Sequence, residues 1–428
     1  MFSVGELESV VLYGIIAATI FVGYVAYKLI RNQFFKITLI FMLFAVFMYS
    51  GYGIAYTNVQ NTYLTKYVIY IIALAIPFIL FGRKEMNRQT CFSNVDRFLI
   101  SHPRFLRNVT ILYFTMMFIP LVYPEFRLFD IFKYGGGVTE SLYDDRNMYK
   151  ANFLITVVDM VKMFLTPFFY AYLVVKKQKC PKSYNSTIIM FVSIMMAFLR
   201  YRYFGRYQIL VYGVELYVLT FGLSGFKLSI AKKHILIILG TLVASIPVLY
   251  AFTITRIGGT VSNLSFMESL DLLIASEASY TAWYDHILNS GLIHGQTAGL
   301  FLLWLLCLPI PSFIWPTKPK ISADEFTYSI TGKRYTDAGY SSFLPSAMGE
   351  GFMFFGDDFF WLHALVVGLI TALILNFLLK NKTMIYYVAV IIITSLIFGR
   401  GAAASFVPPL VNGVMPIFIL NFFLNRKG

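Results

Sequence analysis

Apolar residues run along this chain in unbroken blocks of roughly 17 to 25 positions, and period-2 alternation is absent. A helical block of that length matches a hydrocarbon core about 30 Å thick, whereas barrel strands would alternate. Backbone groups in lipid must be satisfied within their own segment, so each block is predicted as a transmembrane helix. The predicted spans are 7–28, 37–56, 64–82, 108–124, 151–175, 184–201, 207–223, 234–254, 358–379, 383–399 and 404–424. The pattern therefore predicts an all-α, polytopic membrane protein with about eleven, at most twelve, transmembrane helices. No repeat or low-complexity tract divides it, so residues 1–428 are expected to form one transmembrane domain.

The polar connections orient these spans. Alternate connections carry Lys28/Arg31/Lys36, Arg83 to Arg107, Lys176 to Lys182, Lys227 to Lys233, Lys380/Lys382 and Arg426/Lys427, with only Glu85 and Asp96 against them. Basic residues near span ends are retained in the cytoplasm, so this set faces inward and the long 255–357 loop faces outward. The apolar stretch 296–315 breaks the alternation if it crosses fully. It is read as a re-entrant or interfacial helix ended by Pro309 and Pro311, with a true crossing as the rival.

Composition changes this picture little. At 58% hydrophobic and 13% charged residues, the chain is no ordinary soluble domain. The net charge of +14 belongs to topology and anionic headgroups rather than to nucleic acid. Cys91, Cys180 and Cys307 lack metal-ligand spacing, so neither a disulfide nor a metal site is expected. The first span has no basic region before it and no cleavage pattern, so it is expected to remain as a helix.

Candidate chemistry gathers on the outward side. Arg200, Arg202 and Arg206 crowd a short outward connection against the charge rule, followed by Glu215 within the next span. Guanidinium groups grip phosphate oxygens bidentately, so an anionic ligand accounts for them; snorkelling to headgroups, with Glu215 as counter-ion, is the alternative. Arg256, before Gly258 and Gly259, either completes a diphosphate clamp or marks the interface. Asp159 and Lys162, spaced i, i+3, read as a neutralising pair.

The long loop holds Asp285, His286, His294, Lys318, Lys320, Lys333, Arg334, Asp337 and Glu350. Glu350 stands out because it lies between Gly349 and Gly351, small residues that would let a substrate approach the backbone just before a span. A carboxylate there suits a general base toward a hydroxyl; the alternative is a carboxylate serving a helix N-terminus. Phosphate-binding loops, His-Glu-x-x-His, Gly-x-Ser-x-Gly and Asp-x-Asp patterns do not occur.

Two runs in the loop carry a resemblance: Pro309-Ile-Pro-Ser-Phe-Ile-Trp-Pro316-Thr-Lys318-Pro, and Gly339-Tyr-Ser-Ser-Phe-Leu-Pro345-Ser-Ala-Met-Gly349-Glu350-Gly-Phe-Met-Phe-Phe-Gly356. Together they resemble the outer-loop signature of bacterial O-antigen polymerases, the Wzy-type repeat-unit polymerases: a proline-rich stretch, Gly-x-Ser with a following Pro, Gly-Glu, and Phe-Gly. Arg202 and Gly213 also stand in an Arg-x10-Gly spacing similar to that of some members.

The resemblance implies a bacterial inner-membrane enzyme with its site facing the periplasm. It would join oligosaccharide repeat units carried on undecaprenyl diphosphate by inverting, metal-independent transfer, with no cofactor and with a chain-length regulator as a protein partner. The implied roles are Glu350 as base, with His294 and Asp337 as further catalytic candidates. Arg202, Arg206, Arg256, Lys318 and Arg334 would meet the diphosphate, and Tyr335 and Tyr340 the sugars, along with Tyr328 and Phe343. An O-antigen ligase shares the donor and is the nearest alternative. A polysaccharide flippase is a further one.

Overall fold

The computed structural model describes residues 4–56, 61–83, 94–122, 153–180, 184–199, 206–221, 223–224, 227–228, 279–290, 297–307, 322–333, 343–380 and 414–425, with single positions Gly240, Glu268, Ile310, Trp315, Gly399, Ala403 and Phe406. Among them the regular secondary structure is helical apart from two two-residue strands, Leu223–Ser224 and Lys227–Leu228, paired antiparallel. Among the described residues, five helical stretches are long and apolar enough to cross a membrane: Val10–Leu29, Phe34–Ala55, Thr62–Gly82, Val157–Lys179 and Trp361–Leu379. The predicted spans 234–254 and 383–399 lie almost wholly outside the described residues.

Two compact units emerge from the packing. The first comprises residues 1–89, 274–380 and 394–411. It contains α1 (Val4–Leu29), α2 (Gln33–Val46), a π turn (Phe47–Gly51), α3 (Tyr52–Tyr56) and α4 (Asn61–Gly82). Later chain adds a 3-10 turn (Ser279–Trp283) leading into α10 (Tyr284–Asn289), then α11 (Ala298–Cys307), α12 (Ser322–Thr331), α13 (Ser346–Phe359) and α14 (Trp361–Lys380). The second unit holds α5 (Asn94–Ser101), α6 (Pro103–Val122), α7 (Phe153–Lys179), α8 (Asn185–Leu199), α9 (Arg206–Phe221) and α15 (Val414–Asn425).

In the first unit α4 is the central element. Tyr63, Tyr67 and Tyr70 repeat at i, i+4 and i+7, which places all three on one helix face, and all are buried. Tyr67 meets the Thr19 hydroxyl of α1 at 2.7 Å. On α14, Gly368 lies so close to α4 that an added Cβ would stand 2.9 Å from the Leu74 carbonyl. Small residues at such crossings let helix backbones approach without a solvent-driven force. The outer surface is apolar, with Ile20 and Phe21 of α1 65% and 67% exposed, as befits contact with lipid.

In the second unit Tyr113 of α6 stacks on Phe169 of α7, with ring centres 4.4 Å apart and planes at 9°. Asp159 and Lys162 form the expected i, i+3 pair at 3.1 Å. Glu215 is buried and accepts a 2.8 Å hydrogen bond from Tyr170.

One element differs in detail from the sequence expectation. The second span carries the π turn, an extra residue in the helical repeat that hydropathy cannot reveal. Within 296–315 the described residues include helix α11, ten residues and about 15 Å long, while 296, 308–309 and 311–314 lie outside the described residues.

Candidate functional site

Helix α13 begins at Ser346, which has φ of 63° and is the one non-glycine residue with positive φ among the described residues. A side chain in that region is strained by about 1–3 kcal/mol and persists only where its surroundings hold it. They do here. The Ser346 Oγ accepts from the Gly349 amide at 3.3 Å and from the Ser50 hydroxyl at 3.4 Å, and it shares a 2.9 Å bond with the Tyr284 hydroxyl. Ser50 belongs to the π turn, so that irregularity delivers a hydroxyl to the start of α13. Burial pushes the Tyr284 phenol up to about 12, which keeps its proton on oxygen at ordinary pH.

From Ser346 to Phe354 every side chain of α13 is buried, the mark of a helix enclosed on all sides. Glu350 is fully enclosed with them. Its Oε2 accepts from the Ala403 amide at 2.6 Å and lies 2.9 Å from His363 Nε2 on α14. The other imidazole nitrogen, Nδ1, is 2.9 Å from the Tyr70 hydroxyl, which also donates to the Ala347 carbonyl at 3.1 Å. Phe301 of α11 lies against His363, with ring centres 5.1 Å apart.

The two glycines beside Glu350 serve packing, not access. A Cβ on Gly349 would lie 3.1 Å from Ile287, and one on Gly351 2.7 Å from the Phe360 carbonyl. The open approach expected from the sequence is thus filled by the protein's own atoms. Gly356 breaks α13 with φ of 72° and ψ of −173°, a conformation essentially confined to glycine. The Phe-Gly at the end of the motif therefore turns the chain into α14.

Of the residues singled out in the sequence, Glu350 is the one placed in this cluster. Arg206 opens α9 in the second unit. His294, Asp337, Arg202, Arg256, Lys318, Arg334, Tyr335 and Tyr340 lie outside the described residues. Asp285 accepts a 2.6 Å bond from Tyr63, and His286 is 3.4 Å from the Ser329 hydroxyl. Phe343 meets Trp283 edge to face at 6.1 Å, and its backbone is pinned to Thr327 of α12. Gly213 has open space around it.

Sequence reading missed His363, although a lone ionisable group inside an apolar span is a functional signal in its own right. It also missed Tyr70, for which the tyrosine spacing on α4 was the available clue. Elsewhere in the first unit an apolar groove of about 460 Å³ runs between α1 and α2, lined by Ile16, Ile20, Ile40, Leu43 and Phe44, and it takes in none of the cluster's side chains. Among the described residues no three His, Cys, Asp or Glu side chains converge as metal ligands would.

Comparison with known proteins adds no relative: no family model, curated protein or solved structure matches this chain.

Proposed function

We propose that this chain is a membrane-bound glycosyltransferase that polymerises undecaprenyl diphosphate-linked oligosaccharide repeat units into O-antigen or capsular polysaccharide at the periplasmic face of a bacterial inner membrane. The observation that carries the reading is the buried Glu350–His363 pair, which lies within the run of residues that resembles the polymerase family. An ionisable pair enclosed in a membrane protein is costly to retain without a task.

In this reading the chain crosses the membrane about eleven times, the 255–357 loop faces the periplasm, and α11 enters the outer leaflet without crossing it. The lipid diphosphate is already a leaving group, so transfer needs neither nucleotide nor metal. Arg202, Arg206 and Arg256, with Lys318 and Arg334, neutralise the charge developing on the departing diphosphate. Glu350 takes the proton of the acceptor hydroxyl, with His294 and Asp337 as reserve candidates, while Tyr335 and Tyr340 contact sugar faces. A chain-length regulator would be the protein partner. Because Glu350 is enclosed, the acceptor reaches it only after the packing around it moves aside, a shift that substrate binding energy can drive.

The complete enclosure of Glu350 favours a second reading in which the carboxylate is a structural clamp between α13, α14 and Ala403. A gel of surface polysaccharide from a strain lacking the gene tests the polymerase assignment. Loss of a polymerase leaves single repeat units on the surface. Loss of a ligase leaves none there, and loss of a flippase traps the units inside, so either of those outcomes would replace it.

A further inference from the structure

We propose that Tyr70, His363 and Glu350 form a proton relay in which His363 is a positioning residue: it orients Glu350 and receives the proton that Glu350 takes from the acceptor hydroxyl. The inference rests on the polymerase reading and extends it to two residues that the resemblance does not touch.

The hydrogen bonds define two protonation states. When the Tyr70 hydroxyl donates to the Ala347 carbonyl at 3.1 Å, its oxygen accepts from His363 Nδ1–H at 2.9 Å. The 2.9 Å contact between His363 Nε2 and Glu350 Oε2 then requires one further proton between them. When that proton is absent, the Tyr70 hydroxyl turns to donate to Nδ1, and the imidazole presents Nε2–H to an ionised Glu350. Both states use the same heavy-atom positions, so the cluster gains or loses a proton through one hydroxyl rotation and a tautomer change. A purely structural clamp needs only one of them.

In the transfer step the acceptor O–H bond breaks as its oxygen bonds to the anomeric carbon. The bond from that carbon to the diphosphate oxygen breaks, and the lipid diphosphate leaves with the electron pair. The proton passes to Glu350 and is shared with His363, while Tyr70 turns to the Ala347 carbonyl. Nothing else is consumed.

Among the described residues, the pair is faced by the Ala403 amide, Tyr70 from α4, Phe301 from α11 and Phe355 from α13, and Tyr284 on α10 is a titratable group at the start of α13. Among the described residues on these elements, Lys66 pairs with Asp357, and Asp285 accepts from the Tyr63 hydroxyl.

The test is turnover by the purified full-length protein in liposomes, with the native lipid-linked repeat unit extracted from a deletion strain as substrate, measured across pH. His363→Gln keeps a hydrogen-bonding side chain beside Glu350 but cannot hold the proton. It should lower kcat roughly tenfold to a hundredfold with KM little changed, and abolish the wild-type pH dependence of kcat. Tyr70→Phe, which removes the rotating hydroxyl but keeps the ring, should shift the pH profile with a smaller loss of rate, and it stands in as the test if His363→Gln fails to fold. Wild-type kcat and pH profile in the folded variants, with Glu350→Gln inactive, would overturn the relay and leave the polymerase reading intact. Full turnover by Glu350→Gln would instead remove the base and the relay with it.

Discussion

Glu350 can be removed in two chemically different ways, and the two separate its roles. Glutamine can still accept from the Ala403 amide and pair with His363, so Glu350→Gln should fold; if the carboxylate is the base, turnover should fall by roughly 10²–10⁴-fold. Glu350→Ala leaves both partners stranded in the interior, which typically costs about 3–5 kcal/mol, and its unfolding temperature should drop sharply. A Glu350→Gln protein with normal turnover but lowered thermal stability would favour the clamp. Ser346 offers a second comparison. Ser346→Ala loses the bonds to Gly349, Ser50 and Tyr284 and keeps the strained φ of 63°, so it should destabilise by about 1–3 kcal/mol, read as a lower unfolding midpoint. Ser346→Gly loses the same bonds but relaxes the backbone, so it should be the milder change. At this scale the sequence showed Glu350 through its glycine neighbours but misread what those glycines do. Packing by Ile287 and by the Phe360 carbonyl, which come from other parts of the chain, decides that.

Helices were the most legible level, because the length and uniform apolarity of a span follow directly from the thickness of the bilayer. The reading for 64–82 finds α4 at Asn61–Gly82, and that for 358–379 finds α14 at Trp361–Lys380. What composition could not show were the irregularities that shape the cluster. The π turn at Phe47–Gly51 and the break at Gly356 depend on tertiary partners. These invite a paired substitution. Gly356→Ala forces a side chain into φ of 72°, should destabilise by about 1–3 kcal/mol, and should disturb the turn into α14. Gly213→Ala, in the middle of α9 with open space around it, should be neutral or slightly stabilising because alanine is the better helix former. Thermal unfolding in detergent compares the two, and equal effects would mean that the Gly356 conformation is not what matters there.

For the whole molecule, the sequence reading rests on the asymmetry of basic residues, and that asymmetry makes a labelling prediction. A cysteine introduced at Ser322 in the long loop should react with a membrane-impermeant thiol reagent in intact spheroplasts, while one at Ser183, beside Lys182, should be protected. The reverse pattern would move the proposed site to the cytoplasm. The most direct test of the central claim is synthesis by the isolated protein. Purified chain in liposomes, given only its lipid-linked repeat unit, should produce a ladder of lipid-linked oligomers that lengthens with time and is lost in Glu350→Gln. If the single unit persists unchanged, or is transferred only when a lipid A acceptor is supplied, the chain is not a polymerase.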